Sequence, residues 1–323
     1  MNYDLVTQKK QELEGYRPLP AALVKNLEDW FRIELTYTSN AIEGNTLTRR
    51  ETALVVEKGL TVGGKSLVEH LEATSHASAL DWVRSIADRA PASLTENDIL
   101  HIHRLILKGV DDAGAGHYRS VPVRIAGSAV IMPNSLKVPQ LMQGFIKWLH
   151  HAQLHPVELA AMAHYELVTI HPFVDGNGRT ARLLMNLILR MQGYPPAIIR
   201  KRDRLAYISA LEKAQLGGPK EDYLKLVARA VGRSLDIYLK AAKGEDASAP
   251  LDEAPLMKIG ALASAVQETV PTIRHWTKEG LLHVADTTAS GYQLYAADMI
   301  ERVERIKKLK QQRFTLREIK EKL

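Results

Sequence analysis

The stretch HPFVDGNGRTAR, residues 171–182, concentrates groups that can act on a phosphate. Gly176 and Gly178 permit a sharp turn, and the helical pattern TARLLMNLILRMQG follows at once. Backbone N–H groups and the positive end of a helix therefore converge into an anion cradle. Arg179 and Arg182 stand one helical turn apart, so both can point at one anion and offer planar forks to phosphate oxygens. Asp175 beside the cradle can hold a Mg²⁺ that bridges phosphates. His171 can accept a proton near neutral pH. Together these groups suit phosphoryl or nucleotidyl transfer to a hydroxyl.

Rival readings of the same loop fail on context. GNGRTA fits the dinucleotide pattern G-x-G-x-x-A, but that motif follows a strand and needs an acid about 20 residues on. Here the helical pattern AMAHYELVTI precedes it, and positions 195–200 are Pro, Pro, Ala, Ile, Ile and Arg. Nor does this loop fit G-x-x-x-x-G-K-[ST]. The remaining alternative is a glycine-containing connection between helices with incidental charges.

The elements that must position these groups are mainly α-helical. LVKNLEDWFRIELTY (23–37), EHLEATSHASALDWVRSIA (69–87), SLTENDILHIHRLIL, VPQLMQGFIKWLHHA and ELAAMAHYELVTI all place apolar residues at helical spacing. Thr95 stands three residues before Asp98, an N-cap signal, and Gly193 ends the helix that the motif opens. RSVPVRIAGSAVIMP (119–133) alternates through Val121, Val123 and Ile125, turns at Gly127-Ser128 and resumes at Val130, which predicts a β-hairpin. The 323 residues are 46% hydrophobic and 25% charged, which excludes disorder and fibres. No apolar run reaches membrane-spanning length, the N-terminus lacks the features of a secretory signal, and the absence of cysteine excludes disulfides and thiolate metal sites. A cytoplasmic location is the expectation. The net charge of +6 is uneven: residues 1–242 carry +5, residues 243–255 carry −3 and residues 256–323 carry +4. The acidic middle piece, KGEDASAPLDEAP, reads as a linker.

HPFVDGNGRTAR resembles the signature of the Fic family, His-Pro-Phe-x-Asp/Glu-Gly-Asn-Gly-Arg-x-x-Arg, at every fixed position, with similarity over about residues 30–235. The resemblance implies a Fic-type helical bundle with a β-hairpin flap, divided into N-terminal helices (1–90) and a catalytic core (91–242). It implies His171 as the base that deprotonates a target hydroxyl and Asp175 as the Mg²⁺ ligand. Gly176, Asn177 and Gly178 would line the anion hole, Arg179 and Arg182 would bind phosphates, and Phe173 would anchor the loop. Tyr207 is a candidate for the adenine pocket, with a buried helix tyrosine as the alternative. Enzymes of this family usually transfer AMP from ATP to a Ser, Thr or Tyr of a protein, and a target segment would pair with the edge of the 119–133 hairpin. Self-modification and a homo-oligomer fit the same picture.

SNAIEGN (39–45) reads locally as a helix end closed by Gly44, where a glutamate opposes the helix dipole unless a cation answers it. The segment resembles the inhibitory motif of autoinhibited Fic proteins, here Ser39 and Glu43-Gly44. That resemblance implies that Glu43 pairs with Arg182 and takes the place of the γ-phosphate. A solvated helix-end glutamate is the alternative.

In the basic tail, IGALASAV and VPTIRHWTKEG form two short helices around a turn at Gln267–Thr269, with Thr272, Arg274, His275 and Lys278 on the second. TTASGYQLYA (287–296) supplies a turn and a strand, a wing. The run is similar to the winged helix-turn-helix of the MerR family, which implies DNA binding. Gln293 stands where that family usually has arginine, and the long dimerising helix of MerR proteins is missing from this sequence. Dimerisation is therefore expected from the Fic-like part, or else the module contacts protein. Three functional readings follow: a braked adenylyltransferase, a DNA-bound regulator that senses nucleotide in the Fic pocket, and a hydrolase that removes AMP. The histidines at 101, 103, 150, 151, 155 and 164 read as core or surface residues, since none has ligand spacing to an acid or cysteine.

Overall fold

A computed structural model of the chain describes residues 2–245, 256–288, 291–296 and 298–323. Its helices are α1 (Asp4–Glu14), α2 (Ala21–Ile42), α3 (Arg49–Lys58), α4 (Leu67–Ser85), α5 (Glu96–Leu107), α6 (Val138–His151), α7 (Pro156–Ile170), α8 (Asn177–Met191), α9 (Arg204–Gln215) and α10 (Glu221–Ala242). Then follow β1 (Met257–Lys258), α11 (Ile259–Ala265), α12 (Val270–Lys278), β2 (Asp286–Thr287), β3 (Gln293–Tyr295), α13 (Asp298–Gln311) and α14 (Leu316–Lys322). Two compact units emerge, one of residues 2–199 and 210–245, the other of residues 200–209 and 256–323. The linker expected at 243–255 lies outside the described residues from 246 onward.

In the larger unit α8 is the central helix. It packs against α2, α4, α5 and α7, and nearly every residue from Asn177 to Leu189 is buried. A helix enclosed on all sides must be apolar or must pair its polar groups. α8 does both: Leu183, Leu184, Leu187, Ile188 and Leu189 fill the core, while Arg179 and Arg182 are buried with partners. The expected start signal at Thr95 is a full capping box with Asp98, and Thr48–Glu51 and Ser66–Glu69 repeat the device. α1, which carried no sequence expectation, lies on α10 with Lys9 paired to Asp236 and Lys243 to Glu12.

The mainly α architecture stands, but the β-hairpin is corrected. The chain does reverse at Ala126–Gly127, where the Ser128 N–H donates to the Ile125 carbonyl and Gly127 adopts φ +78°. The two arms form no strand ladder. Side chains hold them instead. Arg119 donates to the carbonyls of Val121 and Pro133, one on each arm, and the Glu212 carboxylate accepts from the Ser128 hydroxyl and the Ala129 N–H. Alternating apolar residues make a strand only where backbone groups meet a partner edge, and here none is offered.

The smaller unit has an antiparallel sheet ordered β1-β3-β2, with Met257 opposite Tyr295 and Thr287 opposite Gln293. Its own core includes Leu262, Ile273, Trp276, Leu281, Tyr295 and Val303. The turn before α12 sits where the sequence places it, with Gln267 at φ +54°. Strand β1 was not anticipated, being too short to show a period.

One buried ion pair ties the helix that ends at Glu43 to its neighbour. Glu34 on α2, 1% exposed, lies 2.5 Å from Nε of Arg49 on α3. Removing one partner strands the other charge in the interior. Arg49→Met should therefore cost about 3 kcal/mol in urea unfolding, and a loss under about 1 kcal/mol would show that the pair is inconsequential.

Candidate active site

The loop between α7 and α8 is built by backbone constraint. His171 terminates α7 in the left-handed region, at φ +50° and ψ +60°, which is uncommon for a residue other than glycine. It is held there because its N–H donates to the Leu167 carbonyl and its own carbonyl accepts from Nε of Arg119 at 2.7 Å. Arg119 also donates its backbone N–H to the Pro172 carbonyl. The imidazole is half-buried, and Nδ1 lies 3.3 Å from the Val168 carbonyl. A carbonyl can only accept, so Nδ1 carries the proton and Nε2 keeps its lone pair. Burial pushes the pKa of His171 below the ordinary histidine value, with the Arg119 charge adding to the effect. The group is a neutral base at pH 7.

Further along, Phe173 is fully buried and stacks on His103 with ring centroids 3.6 Å apart. The side chain of Asn177 closes the loop on Phe173: its Nδ2 donates to the Phe173 carbonyl and its Oδ1 accepts from the Phe173 N–H. The amide of Asn177 thus shapes the loop, while its backbone N–H stands at the helix end. Gly176 has φ +75°, and a Cβ there would press on the His103 ring at 3.2 Å. α8 then begins with no side-chain cap. Its first N–H groups face outward from a helix start, the arrangement that attracts an anion.

The two arginines of the motif do not converge as the spacing suggests. Arg182 donates Nε to the Ser39 hydroxyl at 2.9 Å, and Nη2 to the Ser39 carbonyl at 3.0 Å and to Glu43 Oε1 at 2.6 Å. Arg179 turns the other way, with Nη1 on Glu72 at 2.8 Å and Nη2 on Asp175 at 3.0 Å. Both guanidiniums are buried, and helix rotation between the positions is enough to bring them to different neighbours. Glu43 follows the last residue of α2, and Gly44 at φ +102° turns the chain. Its carboxylate lies against the first turn of α8: a Cβ on Gly178 would collide with Glu43 Oε1. The anion at this helix start is thus a carboxylate from the chain itself.

Asp175 is the most exposed of the charged groups, with 68% of its side chain open. Among the described residues no group of three His, Cys, Asp or Glu side chains is placed to cage a metal. A single open carboxylate beside an anion cradle suits a cation such as Mg²⁺ that draws most of its ligands from phosphates and water. Tyr207 is buried at 2% exposure within α9. On α12 the side chains of Arg274, His275 and Lys278 are exposed, while Thr272 is half-buried and bonds to the N-cap Thr269. Gln293 is exposed, and its Oε1 accepts from the Tyr295 hydroxyl at 2.9 Å.

Sequence reasoning missed three residues that organise the loop. Arg119 fixes His171, Glu72 fixes Arg179, and His103 holds the loop backbone: Nε2 bonds to the Asp175 carbonyl and Nδ1 accepts from the Gly116 N–H. His103 was read as a core residue, and it is one, but it is the part of the core on which the loop rests. None had a local signal, because each acts on a partner more than 50 positions away or through backbone.

Comparison with known proteins bears on both units. The Fic/DOC family model matches residues 93–189, and that of the MerR HTH family regulatory proteins matches residues 257–323. A protein adenylyltransferase Fic of Nematostella vectensis is 44% identical over 206 residues, covering 63% of this chain and 48% of its own length. One from Aedes aegypti is 36% identical over 283 residues, covering 87% and 54%. The chain spans about half the length of these curated relatives. The crystal structure of a Fic domain containing signaling protein from Bacteroides thetaiotaomicron superposes with a TM-score of 0.69 at 33% identity, over 76% of this chain and 99% of that one.

Three buried histidines surround this site and set an acid limit on the fold. Burial pushes His76 and His164 down to about 3, with the Arg182 charge adding to both, and pushes His103 down to about 4. Unfolded, each would titrate near 6.5, so the unfolded chain binds protons that the folded chain refuses, and stability falls as pH drops below 6.5. Each histidine should cost about 2 kcal/mol between pH 6.5 and pH 5. Urea unfolding at both pH values checks this, and His103→Phe should flatten the slope by about one proton.

Proposed function

This chain belongs to the Fic/DOC family, and we propose that it transfers AMP from ATP to a hydroxyl side chain of a protein under restraint by Glu43. The observation that carries this reading is the carboxylate of Glu43 lying on Arg182 and against Gly178, at the helix start where a phosphate would be bound. In the transfer, Nε2 of His171 takes the proton of the target hydroxyl as its oxygen attacks the α-phosphorus of ATP. The bond from that phosphorus to the bridging oxygen breaks, and diphosphate leaves. The N–H groups at the start of α8 and the guanidinium of Arg182 stabilise the charge that develops on the phosphates. Mg²⁺ held by Asp175 would neutralise further phosphate charge when bound. Burial keeps His171 unprotonated through neutral pH, which a base requires.

Glu43 competes with the nucleotide for Arg182. While the ion pair stands, Nε and Nη2 of that guanidinium are committed to Ser39 and Glu43. An extended target segment would pair with an arm of residues 119–133, whose backbone is not committed to a ladder.

For the C-terminal unit we propose DNA binding through α12, with Arg274, His275 and Lys278 exposed on one helix whose Ile273 and Trp276 face the core. With Gln293 engaged by Tyr295, the wing contributes no cation at that position.

Two measurements test these readings. With α-labelled ATP, Glu43→Gly should label protein several-fold faster than wild type, and adding His171→Ala should lower the rate by about 10²-fold or more. The pH profile of the Glu43→Gly variant should be flat through pH 7 and lose rate only below 6.5, since the depressed pKa leaves the base form intact until then. An acid limb centred above pH 7 would exclude His171 as the base. For the second unit, affinity of the full chain for duplex DNA should fall with salt, and Arg274→Ala should reduce the slope by about one; binding unaffected by salt would exclude a DNA role.

A further inference from the structure

The neglected member of the site is Glu72 of α4. Arg179 is buried and sits between two carboxylates, giving Nη1 to Glu72 Oε1 at 2.8 Å and Nη2 to Asp175 Oδ2 at 3.0 Å. A guanidinium facing one carboxylate closes on it with two parallel N–H bonds, the stronger arrangement. Glu72 prevents the end-on form of that grip by occupying one of the two terminal nitrogens. Asp175 is left with a single arginine bond and an open side chain.

Glu72 is itself held from the segment that carries Glu43. Its Oε2 accepts from Nδ2 of Asn45 at 2.9 Å, and its backbone carbonyl accepts from Asn40 at 3.4 Å. Asn45 is buried, and its N–H donates to the Asn40 carbonyl at the close of α2. Only Gly44 separates it from Glu43. The run Glu43, Asn45, Glu72, Arg179, Asp175 therefore joins the carboxylate on Arg182 to the carboxylate open to solvent.

We propose that Glu72 is a positioning residue for cation binding: it holds Arg179 away from a two-bonded grip on Asp175, and Asn45 keeps it in place. This rests on the reading of Asp175 as the cation ligand. Two consequences differ from those of a merely structural carboxylate. Shortening Glu72 should weaken the cation without lowering nucleotide affinity at saturating cation. Charge alone should not rescue it, because the geometry of the bond to Arg179 is what matters.

The test is Mn²⁺ binding, read by electron paramagnetic resonance, to the full chain carrying Glu43→Gly with a non-hydrolysable ATP analogue present. Glu72→Asp keeps the charge but is one methylene short, and should weaken Mn²⁺ about tenfold. Glu72→Ala, which removes the acceptor altogether, should do the same and supplies the result if the aspartate variant does not fold. Asn45→Ala should weaken Mn²⁺ less than either. Analogue affinity at saturating Mn²⁺ should stay within twofold of the parent in all three. Mn²⁺ affinity unchanged in the Glu72 variants overturns the proposal, as does an equal loss of analogue affinity. Asp175→Asn separates the premise: it should abolish the site, and if Mn²⁺ binding survives it, the assignment of Asp175 fails and the proposal with it.

Discussion

A guanidinium buried at the start of a helix is the constraint around which the larger unit is organised. Arg182 cannot shed its proton, and it lies in the first turns of α8, where the helix end adds positive charge of its own. Such a charge in the interior must be answered by an anion or by several acceptors. The fold supplies Ser39 twice and Glu43 once, all from the end of α2. The third partner is a half-open carboxylate, and on the reading proposed above a phosphate would take its place without leaving Arg182 bare. A buried, fully satisfied ion pair would be a structural clamp. This one has a face toward solvent, with Glu43 keeping 38% of its side chain exposed.

The loop before α8 shows how rigidity is bought for a short segment. Its backbone is strained at His171 and turned at Gly176, and both conformations depend on neighbours: the Arg119 guanidinium on one side, the stacked rings of His103 and Phe173 on the other. The side chain of Asn177 closes the turn from within. Every one of these contacts is buried or half-buried, so the low dielectric strengthens them. The same burial keeps His171 neutral. Positioning and basicity thus come from one cause.

The smaller unit follows a different logic. Apart from α13 its helices α11, α12 and α14 have nine residues or fewer, so they gain little from helix propensity and rely on a compact apolar core around Trp276 and Tyr295. The Tyr295 hydroxyl is bonded to both Thr277 and Gln293, which ties the sheet to α12. A glutamine at 293 therefore stabilises the wing internally, where an arginine would project a charge.

The sequence by itself determined the mainly helical class, the caps at Thr95 and Gly193, the helix end at Gly44 and the loop feeding α8. These depend on spacing within a turn or two, which is visible in a local window. The motif that concentrates His171, Asp175 and Arg182 is legible in the same way, since it lies within twelve residues. What it could not determine is which partners distant residues find. Spacing put Arg179 and Arg182 on one anion, but helix packing gave them to Glu72 and Glu43, from α4 and from the end of α2. Alternation promised a hairpin at 119–133, but the arms met Arg119 and Glu212 in place of a strand edge. Pairings across 50 to 140 positions are decided by tertiary packing, because a buried charge takes the acceptor that geometry brings to it and no local pattern records that choice.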